Sequence, residues 1–215
     1  MVEAAALLPL NRLAGPPEAG TPLSPGSELA LRARDGDDGA FDHLMVLTQD
    51  RILALAWRLL GNPEDARDAA QETYLRAYRY LARYRPGHDF EGWLYRIAVN
   101  ACHDVYRRRR AAGAVRSFEA ETAAGRMAEP RSDSDSEAMA SQSQRRRLVL
   151  EALAALPPRQ RAALVLHDLE GKTSRQVAQI LGSRPGTVRS QLASARARLK
   201  RAFALLVHRR EGRIR

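Results

Sequence analysis

From Val188 onward, apolar side chains return at steps of four, three, four and four, through Leu192, Ala195 and Leu199 to Phe203. That spacing is one side of a continuous helix. A shorter apolar face of Val177, Ala178 and Leu181 precedes it, and Gly182 falls between the two as a turn. The stretch from Thr173 to Phe203 therefore predicts a short helix, a tight turn and a longer basic helix, the pattern of a DNA-reading helix-turn-helix. Thr187, Arg189, Ser190, Ala193, Ser194 and Arg196 lie away from the apolar seam. Arg189 and Arg196 can reach phosphates or guanine edges, while Ser190 and the small Ala193 allow close approach to base edges or a thymine methyl group. An amphipathic hairpin with a solvated charged face fits the same spacing.

The first half of the chain repeats the helical period three times. Asp37 or Asp38 caps a helix carrying Phe41, Leu44 and Leu47 and then Ile52, Leu55, Ala56 and Leu59, and Gly61 ends it. Asn62 as N-cap, Pro63 at the first helical position and two acids, Glu64 and Asp65, in the first turn start the next helix. That helix has a small-residue packing stripe of Ala66, Ala69, Ala70, Thr73, Ala77 and Leu81. Asp68, Gln71, Glu72, Leu75 and Arg79 gather on another side. A leucine among acids and amides suits a partner helix with basic residues; a solvated polar face is the plainer alternative. The third element spans Phe90 to Arg110, with Leu94, Ile97, Ala98, Ala101 and Val105 as its core stripe. Arg96, Asn100, His103 and Arg107 form an opposite, basic face that runs on into Arg108, Arg109 and Arg110. Tyr80, Tyr84, Phe90, Trp93, Tyr95 and Tyr106 surround it as planar groups on which unstacked bases could rest, although most serve a core, and Asn100 could bond a base edge.

Charge strengthens the nucleic-acid reading. The 215 residues carry 35 Lys and Arg against 25 Asp and Glu, a formal charge of +10, which favours a polyanion partner through counterion release. One cysteine, Cys102, excludes an internal disulfide framework and fits a reducing cytoplasm. No run approaches the roughly 20 apolar residues that span a bilayer, and Glu3 with no early Lys or Arg predicts no secretory signal. The five histidines are scattered, Cys102 has no second thiol at metal-ligand spacing, and no phosphate-binding glycine loop or nucleophile motif occurs, so neither catalysis nor a metal or cofactor is expected.

At this point particular residues carry a resemblance. Asp65, Asp68, Gln71, Glu72, Tyr74, Leu75, Arg76, Ala77 and Tyr78, followed by Phe90, Trp93, Leu94, Tyr95, Arg96, Ile97, Ala98 and Asn100, resemble the second conserved region of extracytoplasmic-function (ECF) sigma factors of the sigma-70 family. Leu156, Pro157, Arg159, Gln160 and Arg161, then Val177 to Gly182 and Gly186 to Leu192, resemble that family's fourth region. The two matches occur in the family's order and at its separation.

The resemblance implies an all-α chain of two small helical domains, region 2 and region 4, joined by a flexible linker. The expected division is a flexible extension over 1–27, region 2 over 28–110, an acidic linker over 111–144, region 4 over 145–207 and a basic tail over 208–215. It implies an initiation factor, not an enzyme, that gives core RNA polymerase its promoter specificity. Asp68, Gln71, Glu72 and Leu75 would dock on the clamp helices of the largest subunit. His88, Asp89 and Phe90, with Arg96, Asn100, His103 and Arg107, would lie at the single-stranded minus-ten element. Arg184, Thr187, Arg189, Ser190, Ala193 and Arg196 would enter the minus-thirty-five major groove while their domain sits on the beta flap. An anti-sigma factor would hide these surfaces. The linker's thirty-odd residues relax to roughly 30 Å as a coil and reach about 100 Å when stretched, enough to separate two DNA-reading domains. A stand-alone helix-turn-helix regulator is the alternative; it would not need the Glu72 face.

Overall fold

The computed structural model describes residues 24–111 and 136–211, with side chains of the second segment described over 143–208. Among the described residues all regular structure is helical, in two units. The first comprises α1 (Pro25–Arg34), α2 (Asp38–Leu60), α3 (Pro63–Tyr80) with a 3-10 turn over Leu81–Arg83, and α4 (Phe90–Ala111). The second comprises α5 (Ser136–Ala154), α6 (Pro158–Leu164), a π-helical turn over Val165–Leu169, α7 (Ser174–Leu181) and α8 (Pro185–Glu211).

The helix starts lie where local chemistry puts them. Asp37 is the cap of α2, accepting from the Ala40 N–H at 3.1 Å, and Asn62 caps α3 by accepting from Glu64 and Asp65 at 2.8 and 3.0 Å. Gly61 takes φ 74° to close α2, its N–H bonded to Trp57, a geometry only glycine adopts without strain. The first described helix starts slightly earlier than Ser27: the Ser24 side chain caps α1, which the sequence pattern does not announce.

α2, α3 and α4 pack through Phe41, Leu44, Ile52, Leu55, the Ala66, Ala69 and Ala77 stripe, Leu94, Ile97 and Val105. The alanines bring α3 close to its neighbours. Leu47 departs from expectation: it is 52% exposed, and the buried position on that turn belongs to Thr48, whose hydroxyl donates to the Leu44 carbonyl and meets the Tyr74 hydroxyl at 2.9 Å. Tyr84, Phe90 and Trp93 form one aromatic cluster with ring centroids 5.6 to 5.7 Å apart, so these rings are core and not platforms for bases. α1 lies over it at Gly26, where an added Cβ would stand 3.0 Å from the Phe90 ring. Cys102 is buried, and burial pushes its thiol up to about 12.

In the second unit, Leu153, Leu156, Ala162, Ala163, Val165, Leu166, Val177, Ile180, Val188, Leu192 and Ala195 make the core. The α8 seam is buried from Val188 to Ala195 and emerges by Phe203, which is 41% exposed, so the last predicted seam position is not part of the core. α5 begins at Ser136, inside the stretch expected to be linker; its Ala, Glu and Gln content favours helix once a fold supports it. Residues 1–23, 112–135 and 212–215, with most of the expected extension and linker and half of the expected tail, lie outside the described residues. The two units contribute to one hydrophobic cluster, and both α2 and α4 meet the second unit.

Candidate polymerase and nucleic-acid interfaces

On α3, Asp68, Gln71, Leu75 and Arg79 are exposed together, Leu75 by 55%, as the second face of that helix requires. Glu72 is half-buried and held: its Oε1 accepts from Arg76 Nε at 2.6 Å, Arg76 Nη1 donates to Asp104 at 2.8 Å, and Asp104 accepts from Arg107 at 2.6 Å. Burial opposes the charge on Arg76, but the Asp104 and Glu72 carboxylates outweigh it and raise its pKa. The exposed leucine thus sits beside a carboxylate of fixed direction, which can meet an incoming cationic helix without first losing much rotamer freedom.

The α4 positions are differently placed. Arg96 is 1% exposed, its Nη1 3.5 Å from the Gln179 carbonyl of α7, and burial lowers its pKa. Asn100 is half-buried, its Nδ2 enclosed with no hydrogen-bond partner. His103 is half-buried, its pKa held below the ordinary value by burial first and then by Arg159 and Arg107, against Asp104. Arg107 is exposed. The four do share the side of α4 opposite its core stripe, but the second unit meets that side at Arg96, through Gln179, and at His103, through Arg159. Phe90 belongs to the aromatic cluster, while Asp89 is exposed and His88 half-exposed at the turn before α4. The Tyr84 hydroxyl donates to the His88 carbonyl at 2.6 Å, fixing that turn.

Sequence periodicity did not find the groups that hold the two units together. Glu170 accepts from Arg58 and, at 2.8 Å, from the Tyr95 hydroxyl; Glu91 accepts from Lys172 and, at 2.5 Å, from Arg51. The Glu91 carboxyl is pushed up by burial, but Lys172 and Arg51 outweigh that and lower its pKa. The Tyr95 phenol is pushed far up by burial and by the Glu170 carboxylate. Arg161, buried in α6, donates to the Leu59 carbonyl of α2 at 2.5 Å and to the Ala154 and Leu156 carbonyls at 2.7 and 3.1 Å. The partners that join the two units stand 75 to 112 residues apart in the chain, and no local signal pairs them.

The helix-turn-helix is built as expected. Thr173 and Gln176 form a reciprocal capping box at the start of α7, Gly182 takes φ 60°, and the Ser183 N–H closes the turn onto the Ala178 carbonyl at 2.8 Å. Val188, Leu192 and Ala195 bury one side of α8, leaving Arg184, Thr187, Arg189, Ser190 and Ala193 exposed along the other. Arg196 shares that exposure but its fork is engaged, Nη2 and Nε meeting Asp168 at 2.6 and 3.0 Å. The Arg196 fork first, and His167 after it, hold the Asp168 carboxyl below its usual range. Among the described residues no group of three His, Cys, Asp or Glu is placed to hold a metal, and no helix is long and apolar enough to cross a membrane.

A helix-turn-helix with an open outer face, carried beside a unit whose own third helix exposes acidic and apolar side chains together, defines a helical DNA-binding protein. Residues 44–112 match the family model for Sigma-70 region 2, and residues 146–199 the one for Sigma-70, region 4. The ECF RNA polymerase sigma factor SigE of Mycolicibacterium smegmatis is 39% identical over 77% of this chain and 63% of that protein. The RNA polymerase sigma-H factor of Pseudomonas aeruginosa is 34% identical over 84% of this chain and 94% of that protein. Among solved structures, CnrH in complex with the cytosolic domain of CnrY aligns with a TM-score of 0.59 and 27% identity over 86% of this chain and 99% of that one. The chain belongs to the ECF sigma factors of the sigma-70 family.

Proposed function

We propose that this chain directs core RNA polymerase to a set of promoters, catalysing no reaction itself and working in the bacterial cytoplasm. Asp68, Gln71, Glu72 and Leu75 dock on the clamp helices of the largest subunit. Arg184, Thr187, Arg189, Ser190 and Ala193 read the minus-thirty-five major groove while the second unit rests on the beta flap. His88, Asp89, Asn100, Arg96, His103 and Arg107 meet the single-stranded minus-ten element, with Phe90 shaping that site from within the core. The observation that carries this reading is the exposed Leu75 beside a braced Glu72, a face that a stand-alone DNA-binding regulator has no use for. An anti-sigma partner is part of the proposal, supported by CnrH, which was solved with the cytosolic domain of CnrY.

The test mixes the chain with core polymerase and fragmented genomic DNA of its host and sequences transcript 5′ ends. Discrete new starts sharing two upstream motifs are expected. Glu72→Lys should abolish them by losing core, and Arg189→Ala and Asn100→Ala should weaken them with core binding intact. New starts that survive Glu72→Lys unchanged would point instead to the stand-alone regulator.

A further inference from the structure

The turn that presents His88 and Asp89 ahead of α4 holds itself weakly. Arg85, Pro86, Gly87 and Asp89 are exposed, and the bond its own backbone makes, from the His88 N–H to the Arg85 carbonyl, is long at 3.4 Å. A segment of that kind keeps its conformational freedom unless something outside it takes hold. The hold comes from α1. Ser27 is a buried serine on that helix; its hydroxyl meets the Ser24 hydroxyl at 2.9 Å and also meets the Tyr84 hydroxyl, which donates to the His88 carbonyl at 2.6 Å. A carbonyl only accepts, so the direction of every bond is set: Tyr84 donates to His88, Ser27 to Tyr84 and Ser24 to Ser27. The Ser24 oxygen accepts in turn from the Ser27 N–H at 3.2 Å as the α1 cap. Three hydroxyls thus run in series from the start of α1 to the backbone of the turn, and bonds in series strengthen one another. Burial raises the Tyr84 pKa against the pull of Ser27, so the phenol keeps its proton and stays a donor.

Two further contacts bring α1 to the same place. At Gly26 its backbone lies so close to the Phe90 ring that an added Cβ would stand 3.0 Å away; glycine is a poor helix residue, and its missing side chain is what admits this approach. At the other end of the helix, Arg34 Nη1 lies 3.5 Å from the Tyr84 carbonyl. α1 therefore touches the residue before the turn, the residue after it and, through Tyr84, the carbonyl inside it.

We propose that α1 is a positioning element of the minus-ten site: the relay of Ser24, Ser27 and Tyr84 fixes the His88 carbonyl and with it the way His88 and Asp89 face a single-stranded base. The inference rests on the minus-ten reading above for what the turn meets, whereas the bracing is a property of the first unit alone. A turn fixed before binding loses little freedom when the base arrives, and a base of the wrong shape meets a surface that does not adjust to it. Ser27 and Tyr84 are buried and act on DNA only through that turn.

The experiment uses the full chain, first alone and then with core polymerase. Amide order parameters of Gly87, His88 and Asp89 should lie near about 0.85 in the native protein and fall to about 0.6 in Tyr84→Phe and in Ser27→Ala. The double variant should fall no further than Tyr84→Phe, because one relay is broken only once. With core polymerase and promoters randomised over the minus-ten element, discrimination between the best and the worst base should drop about fivefold in each single variant, the worth of one ordinary hydrogen bond. Core affinity and minus-thirty-five preference should stay native. Thr73→Val, which removes a buried hydroxyl from α3 instead, should leave discrimination native whatever it does to stability. The brace is overturned by native order parameters in Tyr84→Phe, by losses that add in the double variant, by an equal loss in Thr73→Val, or by unchanged discrimination in both variants while His88→Ala lowers it. If His88→Ala and Asn100→Ala both leave discrimination native, the minus-ten reading fails, and the order parameters alone decide whether α1 holds the turn.

Discussion

Replacing Arg161 by methionine removes one guanidinium that three backbone carbonyls share. The side chain donates to Leu59, Ala154 and Leu156 at 2.5, 2.7 and 3.1 Å, so it closes the end of α5 and also ties α6 to α2 of the other unit. Charge-assisted bonds of this kind contribute about 1.5 to 3 kcal/mol each. Against them stands the cost of burying the cation, which is also why the pKa of Arg161 is lowered. Methionine keeps much of the stem's packing, and the part-buried Ala154 carbonyl can return to water. The Leu59 and Leu156 carbonyls are enclosed and lose their donor, at about 1 to 3 kcal/mol apiece. After relief of the guanidinium's desolvation, the net loss should be about 3 kcal/mol. With a urea slope of about 2 kcal/mol/M, the midpoint falls by about 1.5 M. Both tryptophans, Trp57 and Trp93, lie in the first unit, so fluorescence follows that unit while circular dichroism follows both. The shift should dominate the dichroism signal. Arg161→Lys, which keeps the charge but cannot fork to three acceptors, should recover roughly half. An Arg161→Met midpoint within about 0.3 M of the native one would refute this reasoning, because the hydrogen bonds would then do no more than offset desolvation.

Because Asp168 already engages the Arg196 fork, Arg196→Ala should weaken binding to a promoter duplex without changing its salt dependence. Arg189→Ala should reduce the slope of log affinity against log salt by about one phosphate contact; equal slope changes for the two would restore Arg196 as a DNA contact. Thr173→Ala deletes one half of the capping box and should cost about 1 kcal/mol, read as faster amide exchange confined to α7 and the turn after it. His103 is kept neutral by burial and by Arg159 and Arg107, so its contribution is complete above its ordinary pKa of about 6.5 and is lost as pH falls below that, where the open chain takes up the proton first. Stability should drop between about pH 7 and pH 5 by at most about 1.4 kcal/mol per unit, and His103→Gln should flatten the profile. Glu91, Asp104 and Asp168 have lowered pKa values and remain charged throughout that window, so a flat native profile would count against His103.

The parts of this fold that were legible in the sequence are those decided within a turn or two of chain. Asp37, Gly61, Asn62 with Pro63, Thr173 and Gly182 each satisfy or release backbone groups of their own helix, so their positions follow from local chemistry. Helical period placed Arg96, Asn100 and His103 together opposite the α4 core, and they are together. It could not say whether anything covers them. Leu47 and Phe203 show the converse: each has the right spacing for a core seam, yet each stays largely exposed where the seam leaves the core. The start of α5 at Ser136 was hidden because acidic, alanine-rich sequence is compatible with both coil and helix until a second surface supports it. Glu170 and Lys172 were unreadable for a simpler reason. Their partners, Arg58, Tyr95 and Glu91, lie in the other unit, and pairing across that separation is set by tertiary approach alone.

The buried Cys102 bears on what kind of signal this molecule can receive. With its thiol pushed up to about 12, on the order of one molecule in 10^5 carries the thiolate at neutral pH. Peroxide and electrophiles react through that anion, and it is the chain's single sulfhydryl. Direct attack by peroxide or an electrophile at this sulfur is therefore slow while the chain is folded, and becomes fast only once Cys102 is uncovered.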